Sequence, residues 1–342
     1  LSNGLMFAPR RMNGEPIDRD YAERRSRWEP IAEVSQIKGD GEAHPALSPD
    51  DEFADFGTWD KANIASTVPK EPDMLQYEYA RSALKNGLAF ADQTGANPFR
   101  FGMIAASDSH TALATTREEN YFGKFAGNEP MPGRWDHYVI QAIGGDDSLS
   151  TMAWEEVASG LAGVWAQKNT REALFDAMQR REVYGTTGTR LVVRVFGGWD
   201  YSQGDLDSPD MARIGYARGV PMGGTLPAVA GKAPVFMIAA VRDPDGANLD
   251  RVQVIKGWMG ANGAPREKIY NVALSDGRTV DNRGKAPPVG STVDVETATY
   301  ENSIVASELR TLWQDPDFDP AQRAFYYIRV LEIPTPSWQS ID

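Results

Sequence analysis

Residues 101–110, Phe101-Gly102-Met103-Ile104-Ala105-Ala106-Ser107-Asp108-Ser109-His110, carry more of the fold than any other stretch of the chain. An apolar run rich in small residues ends in Asp-x-His, the pattern of a buried strand that delivers polar side chains at its carboxyl end. Side chains alternate faces along a strand, so Asp108 and His110 point the same way, ~7 Å apart. A carboxylate and an imidazole at that spacing suit one divalent ion, or bridge two. The plainer alternative is a strand end followed by an Asx-type turn, with His110 in an ordinary hydrogen bond.

Upstream, Ile31-Ala32-Glu33-Val34-Ser35-Gln36-Ile37 reads as another short strand, leading into Lys38-Gly39-Asp40-Gly41-Glu42-Ala43-His44-Pro45. If that continuation stays extended, Asp40, Glu42 and His44 share a face. Of the 3 histidines in the chain, His44 and His110 follow strand patterns beside carboxylates. His44 therefore joins Asp108 and His110 as a candidate metal ligand, and the three are expected to converge on one cleft. Asp50, Asp51, Glu52 and Asp55 read as a solvated acidic loop. His137, in Arg134-Trp135-Asp136-His137-Tyr138, is expected to pack on its aromatic neighbours.

Between these segments, Leu75, Tyr79, Leu84, Leu88 and Ala91 fall close to helical spacing, and Gln93-Thr94-Gly95-Ala96-Asn97-Pro98 stops that helix. Helix, then strand, then a ligand-bearing strand end is the grammar of an α/β barrel, whose sites gather at the carboxyl ends of strands. The polar, glycine-punctuated stretch from Thr115 to Gly133 reads as a long loop over the site, either a lid or a surface insertion. A second helix is expected from Thr151 to about Trp165. A third opens at Asn169, where Glu172 completes a capping-box pattern.

From Arg190 onward the pattern is strand and turn: Leu191 to Phe196, Val235 to Val241, Arg251 to Lys256, Ile269 to Leu274 and Arg323 to Ile333. Such a series argues for an antiparallel β-sandwich. The expected α/β fold thus has two parts, an incomplete α/β barrel over residues 1–189 and a β-sandwich over residues 190–342. Gly197-Gly198 and Gly223-Gly224 lead into no expected helix, so they read as bulges or turns rather than phosphate loops.

Composition narrows the function. A net charge of −13 argues against a protein that binds nucleic-acid backbone, which needs a basic face. It leaves small phosphorylated substrates open, since bound metals invert the local field. No apolar run is long enough to span a membrane. With 0 cysteines there are no disulfides or thiolate ligands, only N and O donors, and the compartment, cytoplasmic or periplasmic, stays undecided. No Ser/His/Asp arrangement is readable, because Ser107 and Ser109 have no free base once His110 is a ligand.

Ala106-Ser107-Asp108-Ser109-His110 resembles the last metal motif of the PHP (polymerase and histidinol phosphatase) superfamily. The whole chain resembles a bacterial family of unknown function (domain of unknown function 3604) with a PHP-like core. The stretches that carry this are Leu1 to Phe7, Gly41 to Pro49, Asp51 to Ala54, Asn169 to Glu172, Thr186 to Arg190, Phe196 to Trp199 and Arg329 to Pro336. The resemblance implies a partial, distorted PHP-like α/β barrel and a metal-dependent, phosphoesterase-like hydrolase that uses metal-activated water. It implies divalent ions (Zn, Mn or Fe) held by His44, Asp108 and His110, with Asp108 and His110 catalytic. Candidate contacts to a small-molecule, phosphorylated substrate are Arg117, Lys124 and Arg190, with Glu42 as a further polar contact.

The His-x-His of PHP proteins has no counterpart in this chain. The chain is therefore expected to be the carboxyl-terminal part of a longer protein, with the missing amino-terminal half of that protein as its partner. By itself it is expected to be inactive on phosphoesters, while the full-length protein hydrolyses at least one. The competing expectation is a non-catalytic binding or assembly protein on a degenerate PHP-like scaffold, distinguished by the absence of His-x-His upstream.

Overall fold

A computed structural model describes residues 2–341. The chain divides into two compact units. The first runs to Gly163 and takes in Gly185–Thr189 and the stretch from Pro336, and the second comprises Val164–Tyr184 and Arg190–Thr335. The change of pattern near Arg190 coincides with one crossing between units. Val164–Tyr184, read with the first part in sequence, belongs to the second.

The first unit opens with α1 (Arg19–Trp28), N-capped by Asp18, whose carboxylate accepts the Tyr21 N–H at 2.9 Å. It then builds β1 (Ile31–Gln36), β2 (Gly39–Asp40), α2 (Ala80–Thr94) and β3 (Gly102–Ala105), with the strands in the order β2-β1-β3. β1 and β3 are parallel, Ile31 opposite Gly102. With α2 in the connection, they make a βαβ unit. β2 folds back antiparallel with Gln36 opposite Gly39, leaving Ile37 and Lys38 as a two-residue turn. That turn needs glycine at position 39: φ is +98° and a Cβ would sit 1.8 Å from the Gly57 carbonyl oxygen.

Because the chain turns at Lys38, the stretch from Asp40 to His44 is not an extended continuation of β1. The Asp40 carboxylate accepts the Glu42 and Ala43 N–H groups at 2.8 and 3.3 Å, an Asx-type turn that removes the shared face expected for Asp40, Glu42 and His44. α2 also begins later than its periodicity suggested. Pro72–Tyr77 forms a short 3-10 helix, and α2 buries Ala80, Ala83, Gly87, Leu88 and Ala91 along one face. Gly95, at φ +82°, ends it.

Among the described residues the fold is mixed α/β with several small sheets, and no barrel closes. Two two-stranded pairs among these residues accompany the larger sheets: β4 (Tyr138–Ile140) with β5 (Thr151–Met152), and β6 (Leu161–Val164) with β7 (Val183–Thr186). The helix expected from Thr151 to Trp165 is replaced by β5, a 3-10 turn at Ala153–Glu155, and β6. The cause is tertiary. Val157 N–H bonds to the Ile37 carbonyl at 3.0 Å. Gly160 packs so closely that a Cβ there would lie 2.6 Å from the Ala105 Cβ. Two glycines, Gly160 and Gly163, also weaken a helix.

In the second unit, α3 (Arg171–Gln179) is capped by Thr170 rather than Asn169, its side chain accepting the Ala173 N–H at 3.3 Å. Seven strands follow: β8 (Val192–Gly198), β9 (Gly219–Pro221), β10 (Val235–Val241), β11 (Leu249–Met259), β12 (Pro265–Leu274), β13 (Glu308–Gln314) and β14 (Ala324–Glu332). They form two antiparallel sheets, ordered β13-β10-β8-β9 and β12-β11-β14. Two short helices, α4 (Gln203–Leu206) and α5 (Met211–Arg218), lie between β8 and β9.

Val193, Val195, Ile238 and Ala240 from one sheet share a core with Val252 and Val254 from the other, each set on alternate positions. β11 also carries Lys256 into the interior, where its ammonium donates to the Asp315 carboxylate at 2.6 Å and the Asp317 carbonyl at 2.7 Å. Among the described residues no helix is long and apolar enough to cross a membrane.

Candidate functional site

β1 and β3 end side by side. Past the ladder, Ala106 N–H still bonds to the Ser35 carbonyl at 3.1 Å and Ile37 N–H reaches the Ser107 carbonyl at 3.4 Å. The two-residue turn after β1 therefore presents Lys38 beside Asp108. Asp108 leaves the strand at φ +51°, a left-handed conformation that Asp tolerates better than most residues. Non-glycine residues held there are found disproportionately at functional sites.

A third stretch brings Lys124. His110 N–H bonds to the Lys124 carbonyl at 2.9 Å. The preceding Gly123, at φ +88°, permits the approach, because a Cβ there would meet the Asn128 carbonyl oxygen at 2.2 Å. The Lys124 ammonium donates to the Asp108 carbonyl at 2.9 Å and to its Oδ2 at 2.6 Å, and lies 3.4 Å from His110 Nε2. The Lys38 ammonium pairs with the same Oδ2. The other carboxylate oxygen, Oδ1, is 3.3 Å from His110 Nε2. Accessibility is graded: the lysine side chains are 3% (Lys124) and 10% (Lys38) exposed, Asp108 25% and His110 53%. A ligand from solvent meets His110 first and the ammoniums last.

Burial, then the neighbouring Lys124, pulls Lys38 down to about 7, with Glu33 and Glu156 opposing. Burial lowers Lys124 as well. The Lys124 charge, with burial and Lys38, holds His110 below its ordinary value. Behind the cluster lies Glu156, 1% exposed. Its Oε2 accepts the Tyr121 hydroxyl at 2.6 Å, and its Oε1 has no hydrogen-bond partner. Burial pushes this carboxyl up to about 7.

His44 is engaged elsewhere. Its Nδ1 accepts the Ala46 N–H at 3.1 Å, which leaves the proton on Nε2, 3.1 Å from Asp60 Oδ2. Its ring lies against Tyr79. Both nitrogens are occupied. Glu42 pairs with Arg81, which also holds Asp51 in a buried network. Arg117 pairs with Glu119. Arg190 lies in the second unit and pairs with Asp243 and Asp245. The His137 side chain is exposed rather than packed on its aromatic neighbours.

Of the residues expected from the sequence, then, the structure joins Asp108, His110 and Lys124, and it adds Lys38 and Glu156. Lys38 had a readable signal, since it follows the β1 run as Asp108 follows β3. Glu156 had none, lying in a segment that reads as helix.

The divalent ion expected at Asp-x-His does not fit these donors as placed. Asp108 and His110 supply two, and among the described residues no three His, Asp or Glu side chains gather to hold an ion. Asp108 Oδ2 already carries two ammoniums. Unit charges 4 Å apart interact by about 4 kcal/mol near a protein surface, and a doubly charged ion beside two ammoniums would meet roughly four such repulsions. What the arrangement can do unaided is bind an anion and take a proton at the imidazole.

No curated protein and no solved structure matches the chain. A match does extend over all of residues 1–342 to the family described as protein of unknown function (DUF3604), and the chain belongs to that family.

Proposed function

We propose that the Asp108 cluster is the reacting centre of a hydrolase of small anionic esters, with phosphate esters the class it suits best. One observation carries this reading: an imidazole, a carboxylate and two ammoniums, from three separate stretches, meet at the carboxyl ends of adjacent parallel strands. Ligand sites of α/β proteins gather at that end. On this reading the βαβ pair is the counterpart of part of a PHP-like core, and the two antiparallel sheets of the second unit form a sandwich-type module.

His110 Nε2–H directed at Asp108 Oδ1 leaves the Nδ1 lone pair available to a water molecule. A neutral imidazole can take the proton of that water as it attacks the ester, and the Asp108 carboxylate stabilises the imidazolium that results. The Lys38 and Lys124 ammoniums supply positive potential for an anionic substrate and for charge developing on its oxygens.

Turnover of p-nitrophenyl phosphate and bis(p-nitrophenyl) phosphate by the full-length protein tests the reading. His110→Ala and Asp108→Asn are expected to lower kcat by about 10²–10⁴-fold with the fold retained, the range for losing a general base. Phosphate binding without turnover of any ester would assign the cluster to a non-catalytic binding protein instead.

A further inference from the structure

We infer that Lys38 and Lys124 are the resident cations of the Asp108 site: their ammoniums hold the positions a divalent ion would take, and the site receives a small oxyanion without a metal. The inference concerns what neutralises Asp108, and stands whether or not the cluster turns over an ester.

The geometry is specific. An ion shared by Oδ2 and His110 Nε2 would lie where the Lys124 ammonium sits, 2.6 Å from the first and 3.4 Å from the second, and an ion on Oδ1, 3.3 Å from the same nitrogen, would have that ammonium as its neighbour. The second cation position on the same oxygen is taken by Lys38. Neither lysine is a loose surface chain. Lys38 is set by the two-residue turn that Gly39 allows, and Lys124 by the His110–Lys124 backbone bond and the close approach at Gly123.

Charge behind the pair favours the ammonium form. Glu33 and Glu156 oppose the effect of burial on both lysines, and Glu156 keeps one oxygen without a hydrogen-bond partner. An oxyanion arriving over His110 would find two lysine nitrogens, each able to donate hydrogen bonds and to carry positive charge, beyond one carboxylate.

Metal content and phosphate binding of the full-length protein test this. By elemental analysis, Zn²⁺ and Mn²⁺ per chain are expected to be the same in wild type and Asp108→Asn. By equilibrium dialysis, inorganic phosphate is expected to bind wild type in the presence of a chelator, and about tenfold or more weakly when Lys38→Met or Lys124→Met is introduced, a loss of one fixed charge contact. The double variant Lys38→Met/Lys124→Met is expected to gain Zn²⁺ uptake that a further Asp108→Asn removes. A wild type that loses a metal ion on Asp108→Asn, or whose phosphate binding disappears with chelator, would overturn the inference. Those comparisons need only wild type and Asp108→Asn, so they decide the matter even if the lysine variants do not fold.

Discussion

Lys124 donates to Asp108 twice, to the carboxylate at 2.6 Å and to the main-chain carbonyl at 2.9 Å. A carboxylate contact alone would leave Asp108 free to change rotamer. The second contact ties the ammonium to the backbone as well, at a residue held at φ +51°. The strand end and the charge cluster are therefore one structural unit.

Lys124→Met removes both bonds while keeping most of the side-chain volume. It is expected to cost about 2–3 kcal/mol, since one ammonium remains on a partly exposed carboxylate, and the shift of the urea midpoint reads this. The same variant removes the charge that lowers His110. The His110 titration followed by NMR is expected to move up toward ~6.5. An unchanged titration would mean that Lys124 does not set the imidazole.

Glu156→Gln tests the buried acid. Its carboxyl is held up near 7, mainly by burial, against ~4.3 in an unfolded chain. Between those values the folded state keeps a proton that the unfolded state has lost. Stability falls as pH rises through the window, by up to about 1.4 kcal/mol per unit and about 4 kcal/mol in all. Glutamine removes this dependence. The variant should match wild type near pH 4 and exceed it above pH 7 in denaturant melts, and equal stability at pH 8 would contradict the assignment.

Trp338→Ala probes the carboxyl-terminal turn α6 (Trp338–Ile341). Trp338 is 1% exposed, its ring lies 4.7 Å from the Arg134 guanidinium and 5.0 Å from the Tyr121 ring, and its Nε1 donates to the Glu156 carbonyl at 2.9 Å. Truncation is expected to cost about 3–5 kcal/mol. Because Tyr121 and Glu156 lose a neighbour, the first unit should melt earlier. Calorimetry of the whole chain would show whether the loss is confined to one transition.

In the second unit, Lys256→Met leaves the buried Asp315 with, among the described residues, the Tyr326 hydroxyl at 2.6 Å as its side-chain partner. The expected cost is about 3–5 kcal/mol. Adding Asp315→Asn removes the stranded charge and keeps an acceptor for Tyr326, so the double variant should recover more than half of the loss. A double-mutant cycle with coupling near zero would show that the pair contributes nothing beyond its separate residues.

The strands were legible where their pattern is local. Val235–Val241 forms with the bounds that its apolar run implies, and Leu249–Met259 extends the alternation read from Arg251 to Lys256. The Thr151–Trp165 stretch misled because its glycine spacing answers to Ala105 and Ile37 rather than to its own neighbours. Asp108 and His110 do lie together, but beyond the strand end at Ala105 and through a left-handed Asp108 rather than by alternation along a strand. His44 also stood beside carboxylates in sequence, yet Ala46 and Asp60 take its two nitrogens.

The sequence by itself determined that a short strand runs up to the Asp-x-His stretch and that the chain becomes strand-rich after Arg190, because periodicity and turn chemistry are properties of adjacent residues. Only the tertiary structure decided what neutralises Asp108. Lys38 and Lys124 reach it because a hairpin turn and a glycine-assisted close approach bring distant stretches to one strand end. Coulombic energy depends on separation in space, and nothing in the spacing of residues along the chain encodes that distance.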